Sequence, residues 1–491
     1  MPTPFEPILR SAQLRAVEAA HAGEPLMERA GAATAALAMT MIERAGPVVL
    51  LAGPGNNGGD ALVAARHLRA RFFDVALVMP GDGARLPPDA AAALHAFIAA
   101  GGAVVAAPPH AAPALVIDGL FGIGLSRPPA APYDGLIAWS NACHAATLAL
   151  DVPSGIDAET GRAWGTPVHA SATATFLAWK PGLLTGEGLD CAGHVTLYPL
   201  GVAIDTAPGV RLTWDAVAAE LPSVLRRDRR SVHKGTFGTL AIVGGARGMT
   251  GAPLLAGRGG LACGAGKVQV GLLADDAPAF DSGALELMLR RPADALEGAD
   301  AVVIGPGLGR DSAARGLLRQ VLRSSVPLVL DADALNLAAT DPALQDAIAA
   351  HAADVLLTPH PAEAARLLGD TTARVQDDRL DAALRLAERF DAHVVVKGAG
   401  SVLADPHGCF AINATGNPAL ASGGTGDVLA GMLGALLAQG IGARDALRVG
   451  VCVHGAAADA LVDHGTGPIG LRASELAPAV RDLLNARNRV A

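Results

Sequence analysis

The segment NPALASGGTGDVLAGM contains three glycines directly before an aspartate and a long apolar run. Gly423, Gly424 and Gly426 predict backbone amides that converge at a helix start, where they would bind an anion. Asp427 follows where a carboxylate could accept a proton from a substrate hydroxyl. The density of the pattern favours phosphoryl transfer. The alternative is a glycine-rich cap in which Asp427 only caps its helix.

Four other segments of the second half lie just after apolar runs. They are GPGLG at Gly305–Gly309, DADALN at Asp331–Asn336, TPHPAE at Thr358–Glu363 and KGAGS at Lys397–Ser401. His360 precedes a predicted helix, whose positive end would favour a neutral imidazole free to bind a substrate, although a structural role is the alternative. The KGAGS loop could cradle a nucleotide through its backbone.

The first half contains GPGNNGGD after an apolar run. Its glycines match the pattern GxGxxG, which brings amides close to a pyrophosphate: Gly53, Gly55 and Gly58. However, the loop contains the amide pair Asn56 and Asn57, it places the carboxylate of Asp60 where a phosphate would meet the helix, and no phosphate-loop lysine follows. An ordinary dehydrogenase and a P-loop are therefore disfavoured, and a turn that merely packs is the alternative.

Two aspartates follow further predicted strands of the first half, Asp118 before GLFGIGL and Asp151 within DVPSGID. Parallel strands present their carboxyl ends at one edge, so both should lie near Asn57. Oxygens from Asn57, Asp118 and Ser154 would suit an alkali cation rather than zinc or copper. Asp151 is left as the candidate acid/base. Either aspartate alone could instead be a turn or cap residue.

Short apolar runs that alternate with Ala- and Leu-rich stretches predict βα units on mainly parallel sheets. The rhythm breaks between Thr213 and Thr236, which contains the basic run Arg226–Arg230, interpreted as a solvated linker. We therefore expect an α/β domain over 1–215 and a second over 225–491, because 491 residues exceed one hydrophobic core. The predicted strands are Val48–Ala52, Val75–Met79, Ala114–Asp118, Thr147–Asp151, Ala174–Ala178, Val195–Tyr198, Thr239–Val243, Val268–Leu272, Ala301–Ile304, Leu328–Leu330, Val355–Leu357 and His393–Val396.

Composition disfavours several classes of function. The net charge of −9 argues against binding to nucleic acid. The five cysteines are scattered without a CxxC pair, which suggests neither disulfides nor zinc. The amino terminus lacks a signal-peptide pattern, and no apolar run is long enough to span a membrane. We expect a cytoplasmic protein, and its Ala-rich helices permit a homo-oligomer.

The series GPGNNGGD, DGLFGIGL and DVPSGIDAETG resembles the epimerase domain of NAD(P)H-hydrate repair enzymes over about 210 residues. The resemblance implies a Rossmann-like fold, with potassium bound by Asn57, Asp118 and Ser154 and with Asp151 in the hydrate site. The family usually has Gly where this chain has Ala61. The implied substrate-binding residues are Asn56, Asn57, Gly58, Gly59, Asp60, Gly122, Ile123, Gly124, Leu125, Ser126, Arg127, Pro128 and Asp151.

The second half resembles ribokinase-like enzymes through its GGTGD segment, and the full set of segments is similar to the NAD(P)H-hydrate dehydratases over about 225–490. The resemblance implies ADP-dependent dehydration of hydrated NADH and NADPH with release of AMP and phosphate, with Asp427 catalytic and Mg²⁺ accompanying the nucleotide. The implied AMP-binding residues are Lys397, Gly398, Ala399, Gly400, Ser401 and Gly426. The implied hydrate-binding residues are Ala252, Gly307, His360 and Asp427.

Two alternatives stay open from the sequence. The first is a small-molecule kinase that carries a nucleotide-sensing first domain, although GPGLG together with TPHPAE disfavours it. The second is a non-enzymatic first half that has lost its chemistry. Against this second reading, Asn57, Asp118, Asp151 and Ser154 are all retained.

Overall fold

The computed structural model describes residues 5–81, 83, 85–225, 227 and 229–487. The chain divides into two compact units, Glu6–Pro208 and a unit from Gly209 onward. The first unit thus ends seven residues before the predicted limit at 215, because Gly209–Leu212 forms a strand of the second sheet. Arg226 and Asp228 of the predicted linker lie outside the described residues.

The first unit is built on a seven-stranded parallel sheet with the order β4-β3-β2-β5-β6-β7-β8. Its elements are β1 Glu6–Ile8, α1 Ser11–Ala20, α2 Leu26–Met41, β2 Val48–Ala52, α3 Asn56–Arg69, β3 Val75–Val78, α4 Pro88–Ala99, β4 Val104–Val105, β5 Leu115–Gly119, α5 Tyr133–Ala142, β6 Ala146–Leu150, β7 Ala172–Phe176, α6 Gly188–Cys191 and β8 His194–Tyr198.

The central strands of this unit are apolar and buried on both faces, as parallel strands between helices must be. Every residue of β2 is buried, and so is every residue of β5. One face packs against α2, α3 and α4, where Leu62, Leu68 and Phe97 are fully buried. The polar loops that carry chemistry are therefore confined to the sheet edges.

The second unit is built on a larger sheet, whose strands from Gly209 onward have the order β9-β18-β17-β16-β15-β14-β13-β10-β11-β12. Its elements are β9 Gly209–Leu212, α7 Trp214–Val224, β10 Thr239–Gly244, α8 Gly251–Ala262, β11 Lys267–Leu272, β12 Met288–Arg290, α9 Pro292–Leu296, β13 Ala301–Ile304, α10 Ser312–Val321, β14 Leu328–Leu330, α11 Asp333–Ala339, α12 Pro342–Ala349, β15 Val355–Leu357, α13 Pro361–Leu368, α14 Thr372–Asp377, α15 Arg379–Phe390, β16 His393–Val396, β17 Val402–Ala404, β18 Phe410–Asn413, α16 Thr425–Ala438, α17 Ala443–Asp463 and α18 Ala473–Arg487.

The predicted fold class, two α/β units on mainly parallel sheets, is confirmed. The twelve predicted strands all exist, with ends that shift by at most two residues. Strands that were not predicted from the sequence are β1, β4, β9, β12, β17 and β18, of which β17 and β18 form an antiparallel hairpin. That hairpin turns through Asp405, whose carboxylate accepts hydrogen bonds from the backbone of His407 and Cys409 at 3.0 Å each.

No helix among the described residues combines the length and apolar character needed to cross a membrane.

Candidate functional sites

A cavity of about 950 Å³ opens at the carboxyl edge of the first sheet. The loop after β2 and the first turn of α3 form one wall, and the loop after β5 forms another. Asn56, Asn57 and Asp60 line the first wall, and 122–125 lines the second. Asp151, directly after β6, also faces the cavity. The three first-half motifs thus converge, as strands that end at one edge require.

Asp151 is held in an unusual conformation and paired with a buried lysine. Its backbone φ of 64° lies in the left-handed region, which a residue with a side chain rarely adopts. One carboxylate oxygen forms an ion pair with the Nζ of Lys180. A Cβ atom on Gly122 would lie 3.0 Å from the other oxygen, so this oxygen faces the cavity wall. Such strain is concentrated at functional sites.

Among the other carboxylates that line the same cavity, Glu18 of α1 and Asp60 of α3 interact electrostatically with Asp151. Burial raises the pKa of Glu18, and the charge of Asp151 raises it further. Burial likewise raises the pKa of Asp60 well above its usual range, with Asp151 and Glu18 contributing. Lys180 opposes both shifts. Carboxyl groups with raised pKa values in a cavity are candidates for acid/base chemistry.

The predicted cation ligands lie in the same region. Asp118 is fully buried, and its carboxylate accepts hydrogen bonds from the backbone N–H of Ser154 at 2.8 Å and from its hydroxyl at 2.7 Å. Burial raises the pKa of Asp118 to about 6, although the hydrogen bonds from Ser154 lower it. The side-chain oxygen and nitrogen of Asn57 are buried, and neither has a hydrogen-bond partner within the described chain. An unpaired buried amide oxygen is open to a ligand.

The other predicted first-half residues differ in where they lie relative to the cavity. Residues 122–125 line the cavity, whereas 126–128 are exposed and lie outside its lining. Gly58 and Gly59 are buried in the first turn of α3, where a Cβ on Gly58 would lie 2.1 Å from the carbonyl oxygen of Gly53. Ala61, the departure from the family pattern, is a buried residue of α3 that packs against Gly119.

At the second sheet, the glycine-rich segment forms the start of α16. Gly424 has a φ of 91° and lies at the N-cap position, so the chain turns sharply into the helix. Asp427 is in the first helical turn, and one of its carboxylate oxygens would be 3.8 Å from a Cβ on Gly424. The amides of the segment and the carboxylate of Asp427 are thus brought together at a positive helix end.

A buried ion pair lies beside this helix start. Asp331, directly after β14, accepts hydrogen bonds from Lys397 Nζ at 2.9 Å and from the Thr358 hydroxyl at 2.7 Å. A Cβ on Gly426 would lie 3.2 Å from that Nζ, which places the ammonium against the glycine segment. Burial disfavours the ammonium, but the charges of Asp331 and Glu363 raise the pKa of Lys397. Lys397 therefore supplies a fixed positive charge next to the helix start.

Asp427 has the environment of a general base that works near neutrality. Burial raises the pKa of Asp427 to about 7, and the charge of Asp331 contributes while that of Lys397 opposes. His454 of α17 lies behind the same turn and contacts the carbonyl oxygen of Thr425 through Nε2 at 2.9 Å. Burial lowers the pKa of His454 to about 4, so this imidazole is neutral and supports the turn.

His360 has a structural role that the sequence analysis treated as the alternative. It is the N-cap of α13, and its Nδ1 accepts hydrogen bonds from the backbone N–H of Ala362 at 3.1 Å and of Glu363 at 3.4 Å. Its Nε2 lies 3.2 Å from a Glu363 carboxylate oxygen. Both ring nitrogens are therefore engaged, although half of the side chain remains exposed.

The KGAGS loop follows β16, and several hydrogen bonds hold its backbone in place. The Lys397 backbone N–H donates to the carbonyl oxygen of Pro359 at 2.9 Å, which brings the loop beside the TPHPAE segment. The Ser401 hydroxyl donates to the carbonyl oxygen of Gly398 at 2.9 Å. Buried Arg379 donates to the Ala399 carbonyl oxygen. Gly400 has a φ of 62°, a conformation that favours glycine.

The predicted hydrate-binding residues Ala252 and Gly307 are neighbours. A Cβ on Gly307 would lie 3.4 Å from the Cβ of Ala252 in α8. The Gly307 φ of 56° also lies in the left-handed region, and its carbonyl oxygen accepts a hydrogen bond from Ala246 N at 2.7 Å. The loops after β10 and β13 are tied together in this way at the carboxyl edge of the sheet.

Several residues of these sites were missed by the sequence analysis. Glu18 is remote from every motif, and no sequence signal pointed to it. Lys180, by contrast, follows a predicted strand at the functional edge, a signal that could have identified it. Asp331 begins the DADALN segment, but no role of its own was predicted for it. The side chain of Lys397 was also overlooked, since only a backbone role was predicted for its loop.

The fold and the two sites define a two-domain α/β enzyme, with a carboxylate-lined cavity in one unit and an anion-binding helix start in the other. Two family profiles match the chain. One, described as YjeF-related protein N-terminus, matches residues 23–182, and the other, described as NAD(P)H-hydrate dehydratase, matches residues 240–479.

Curated relatives match almost the whole chain. The bifunctional NAD(P)H-hydrate repair enzyme of Coxiella burnetii is 37% identical over 97% of this chain and 98% of its own length. The enzyme of the same name from Escherichia coli is 38% identical over 94% of this chain and 89% of its own. A solved ADP/ATP-dependent NAD(P)H-hydrate dehydratase from Bacillus subtilis is 31% identical over 55% of this chain and 97% of its own, with a TM-score of 0.48. The chain belongs to the family of bifunctional NAD(P)H-hydrate repair enzymes.

Proposed function

We propose that the chain repairs hydrated NADH and NADPH with one site in each unit. The cavity after β2, β5 and β6 interconverts the two epimers at the hydroxyl-bearing carbon. The site at the start of α16 dehydrates one epimer at the expense of ADP. Family membership supports this activity over the small-molecule kinase alternative and the non-enzymatic alternative. Fusion of the two activities makes both epimers repairable by one chain.

The observation that carries the dehydratase site is the convergence of the glycine amides, the Asp427 carboxylate and the Lys397 ammonium at one helix start. Asp427 accepts the proton of the hydrate hydroxyl as that oxygen attacks the terminal phosphorus of ADP and the bond to AMP breaks. The amides of 423–426 stabilise the moving negative charge. The ring nitrogen then expels phosphate, and loss of a proton from the adjacent carbon restores the dihydronicotinamide.

At the dehydratase site we further propose that the loop 397–401 and Gly426 bind the AMP portion of the nucleotide. The tie between Lys397 and Pro359 supports this, because it sets the loop beside the other segments of the site. We propose Mg²⁺ as a partner of the nucleotide phosphates, since this cation usually binds through substrate phosphates and retained waters. His360 would contribute a surface of its ring rather than a free nitrogen.

In the first unit we propose Asp151 as the acid/base of epimerisation and residues 56–60 and 122–125 as the hydrate site. The volume of the cavity, about 950 Å³, suits a dinucleotide. The exposed residues 126–128 would take part only at its rim.

We propose that K⁺ is held by Asn57, Asp118 and Ser154. The buried, unpaired amide oxygen of Asn57 supports this, since a bound cation would satisfy it. The residues fit a hard, weakly charged cation because their oxygens include only one carboxylate. When bound, the ion would supply positive charge that anchors the loops around the cavity.

The test is recovery of NADH from a mixture of both hydrate epimers with ADP, followed by absorbance and by phosphate release. Wild-type protein should restore the whole mixture. Asp427→Asn should lose roughly 10²–10⁴-fold in kcat for dehydration. Asp151→Asn should repair the reactive epimer only, so that recovery stalls partway. Full recovery by Asp427→Asn, or a stable phosphorylated product, would refute the proposal.

A further inference from the structure

Lys180 is an unusual residue in this chain. The sequence contains four lysines among 38 lysines and arginines, and Lys180 is the one lysine between Glu6 and Pro208. Its side chain is 2% exposed, although it belongs to the cavity lining. Burying an ammonium is costly unless it is paired, so a buried lysine in the cavity lining of an arginine-rich chain calls for a specific role.

The three N–H groups of Lys180 are all engaged. Its Nζ donates to the Thr175 hydroxyl at 2.9 Å and to the carbonyl oxygen of Phe176 at 2.8 Å, and it pairs with the carboxylate of Asp151. An ammonium has three donors and no acceptor, so this set saturates it. Lys180 therefore has no N–H left to donate to a substrate, and it acts on the reaction through Asp151.

The geometry at Asp151 shows what the pair accomplishes. The left-handed φ of 64° turns the residue out of the end of β6, and its N–H donates to the carbonyl oxygen of Ala174 at 2.7 Å. Thr175 and Phe176 belong to β7, and Lys180 lies in the turn after that strand. The end of β7 and this turn therefore fix both the backbone and one oxygen of Asp151. The other oxygen is left at the cavity wall beside Gly122.

The charges of the cavity lining also favour a role for Lys180 at Asp151. Within the cavity lining, the charges of Glu18, Asp60 and Asp151 act on one another. The charge of Lys180 opposes the raised pKa of both Glu18 and Asp60, and Arg15 of α1 also opposes that of Glu18. Three carboxyl groups around one cavity repel one another unless a counter-charge is fixed among them. An arginine would bring a planar fork of donors, which does not match one carboxylate, one hydroxyl and one carbonyl arranged around a single nitrogen.

We infer that Lys180 is a positioning residue for epimerisation, which clamps one oxygen of Asp151 to the end of β7 and thereby presents the other oxygen to the hydroxyl-bearing carbon of the hydrate. The inference rests on the proposed acid/base role of Asp151. Thr175 completes the clamp, because its hydroxyl orients the ammonium that orients the carboxylate.

The experiment compares epimer exchange by full-length Lys180→Met, Lys180→Arg and Thr175→Val, with the purified epimers of NADH hydrate as substrates. Lys180→Met should lower kcat roughly 10²-fold and change KM little, because a misplaced reacting group costs about that much. Lys180→Arg should not restore kcat, and Thr175→Val should give a smaller loss of the same kind.

The dehydratase site of the same chain is the internal control. ADP-dependent dehydration of the reactive epimer should keep its wild-type rate in all three variants, since that site belongs to the other unit. A wild-type kcat for exchange by Lys180→Met would overturn the inference. If Lys180→Met loses the thermal transition of the first unit, Thr175→Val decides, and an unchanged kcat there would overturn it.

Asp151→Asn separates this inference from the proposed function. Loss of exchange in Asp151→Asn together with full exchange in Lys180→Met would refute only the role of Lys180. Full exchange in Asp151→Asn would refute the proposed role of Asp151 itself, and the clamp would then have nothing to position.

Discussion

The raised pKa of Asp427 predicts a pH dependence for the dehydratase that an ordinary aspartate would not give. Burial and the charge of Asp331 place the pKa of Asp427 at about 7. A general base must be ionised, so activity should be present above this pKa and lost as the pH falls through it. About nine tenths of the sites are ionised at pH 8 and about one tenth at pH 6, a roughly tenfold fall in rate.

Glu363→Gln provides the perturbation. The charge of Glu363 helps to raise the pKa of Asp427, so its removal should move the fall in activity to lower pH by a fraction of a unit. A glutamine oxygen can still accept the backbone hydrogen bond from His360, now 2.9 Å to the carboxylate, so the start of α13 should persist. Glu388→Gln, which removes an exposed carboxylate from α15, is the matched control and should leave the profile unchanged.

The assay is single-turnover dehydration of the reactive epimer at saturating ADP. The rate is measured from about pH 5.5 to about pH 9 in steps of about half a pH unit. Single-turnover conditions keep product release out of the measured rate. A flat profile between about pH 6 and pH 8 would refute the assignment of Asp427 as the base that titrates there. A shift to higher pH in Glu363→Gln would refute the electrostatic account.

Three further predictions concern nucleotide binding, the cation and stability. In Gly398→Ala the new Cβ would lie 2.1 Å from the Arg379 guanidinium, so the KM for ADP should rise about tenfold while epimer exchange, measured in parallel, stays unchanged. Asn57→Ala should abolish stimulation of epimer exchange by K⁺ in a KCl titration against NaCl, and equal stimulation would contradict the cation site. Gly431→Ala would place a Cβ 1.8 Å from the Ala256 carbonyl oxygen, and this clash should outweigh the roughly 1 kcal/mol gain in helix propensity and lower the melting temperature.

Some sequence predictions are still untested by the structure. Cytoplasmic location and homo-oligomeric assembly remain predictions, as do the roles given to individual site residues. The described chain carries both families of motifs in the order that the sequence analysis used, and the relatives span nearly its full length. The family could therefore be identified from local segments, which can be recognised in the sequence without knowledge of the packing around them.

The sequence by itself determined the elements and the edge at which they act. Apolar runs such as Val48–Ala52 can be predicted to be strands because a parallel strand buried on both faces can carry few polar residues. Glycine-dense segments such as 423–426 can be recognised as anion-binding candidates because few other roles require such backbone freedom at the start of a helix. Since parallel strands share one edge, Asp118 and Asp151 could be predicted to lie near Asn57 without any coordinates.

Only the tertiary structure decided which side chains complete each site. Glu18 reaches the cavity from α1, more than a hundred residues from Asp151, and no local pattern records such a contact. The ion pair Lys180–Asp151 joins residues that follow the neighbouring strands β6 and β7, and Lys397–Asp331 joins residues that follow β16 and β14, which are separated by β15. A buried ammonium is stable only where it is paired and hydrogen-bonded, and only the fold brings these carboxylates to the lysines. His360 was predicted to be free, yet it caps its own helix, because the unpaired amides at the start of α13 compete for its ring nitrogen.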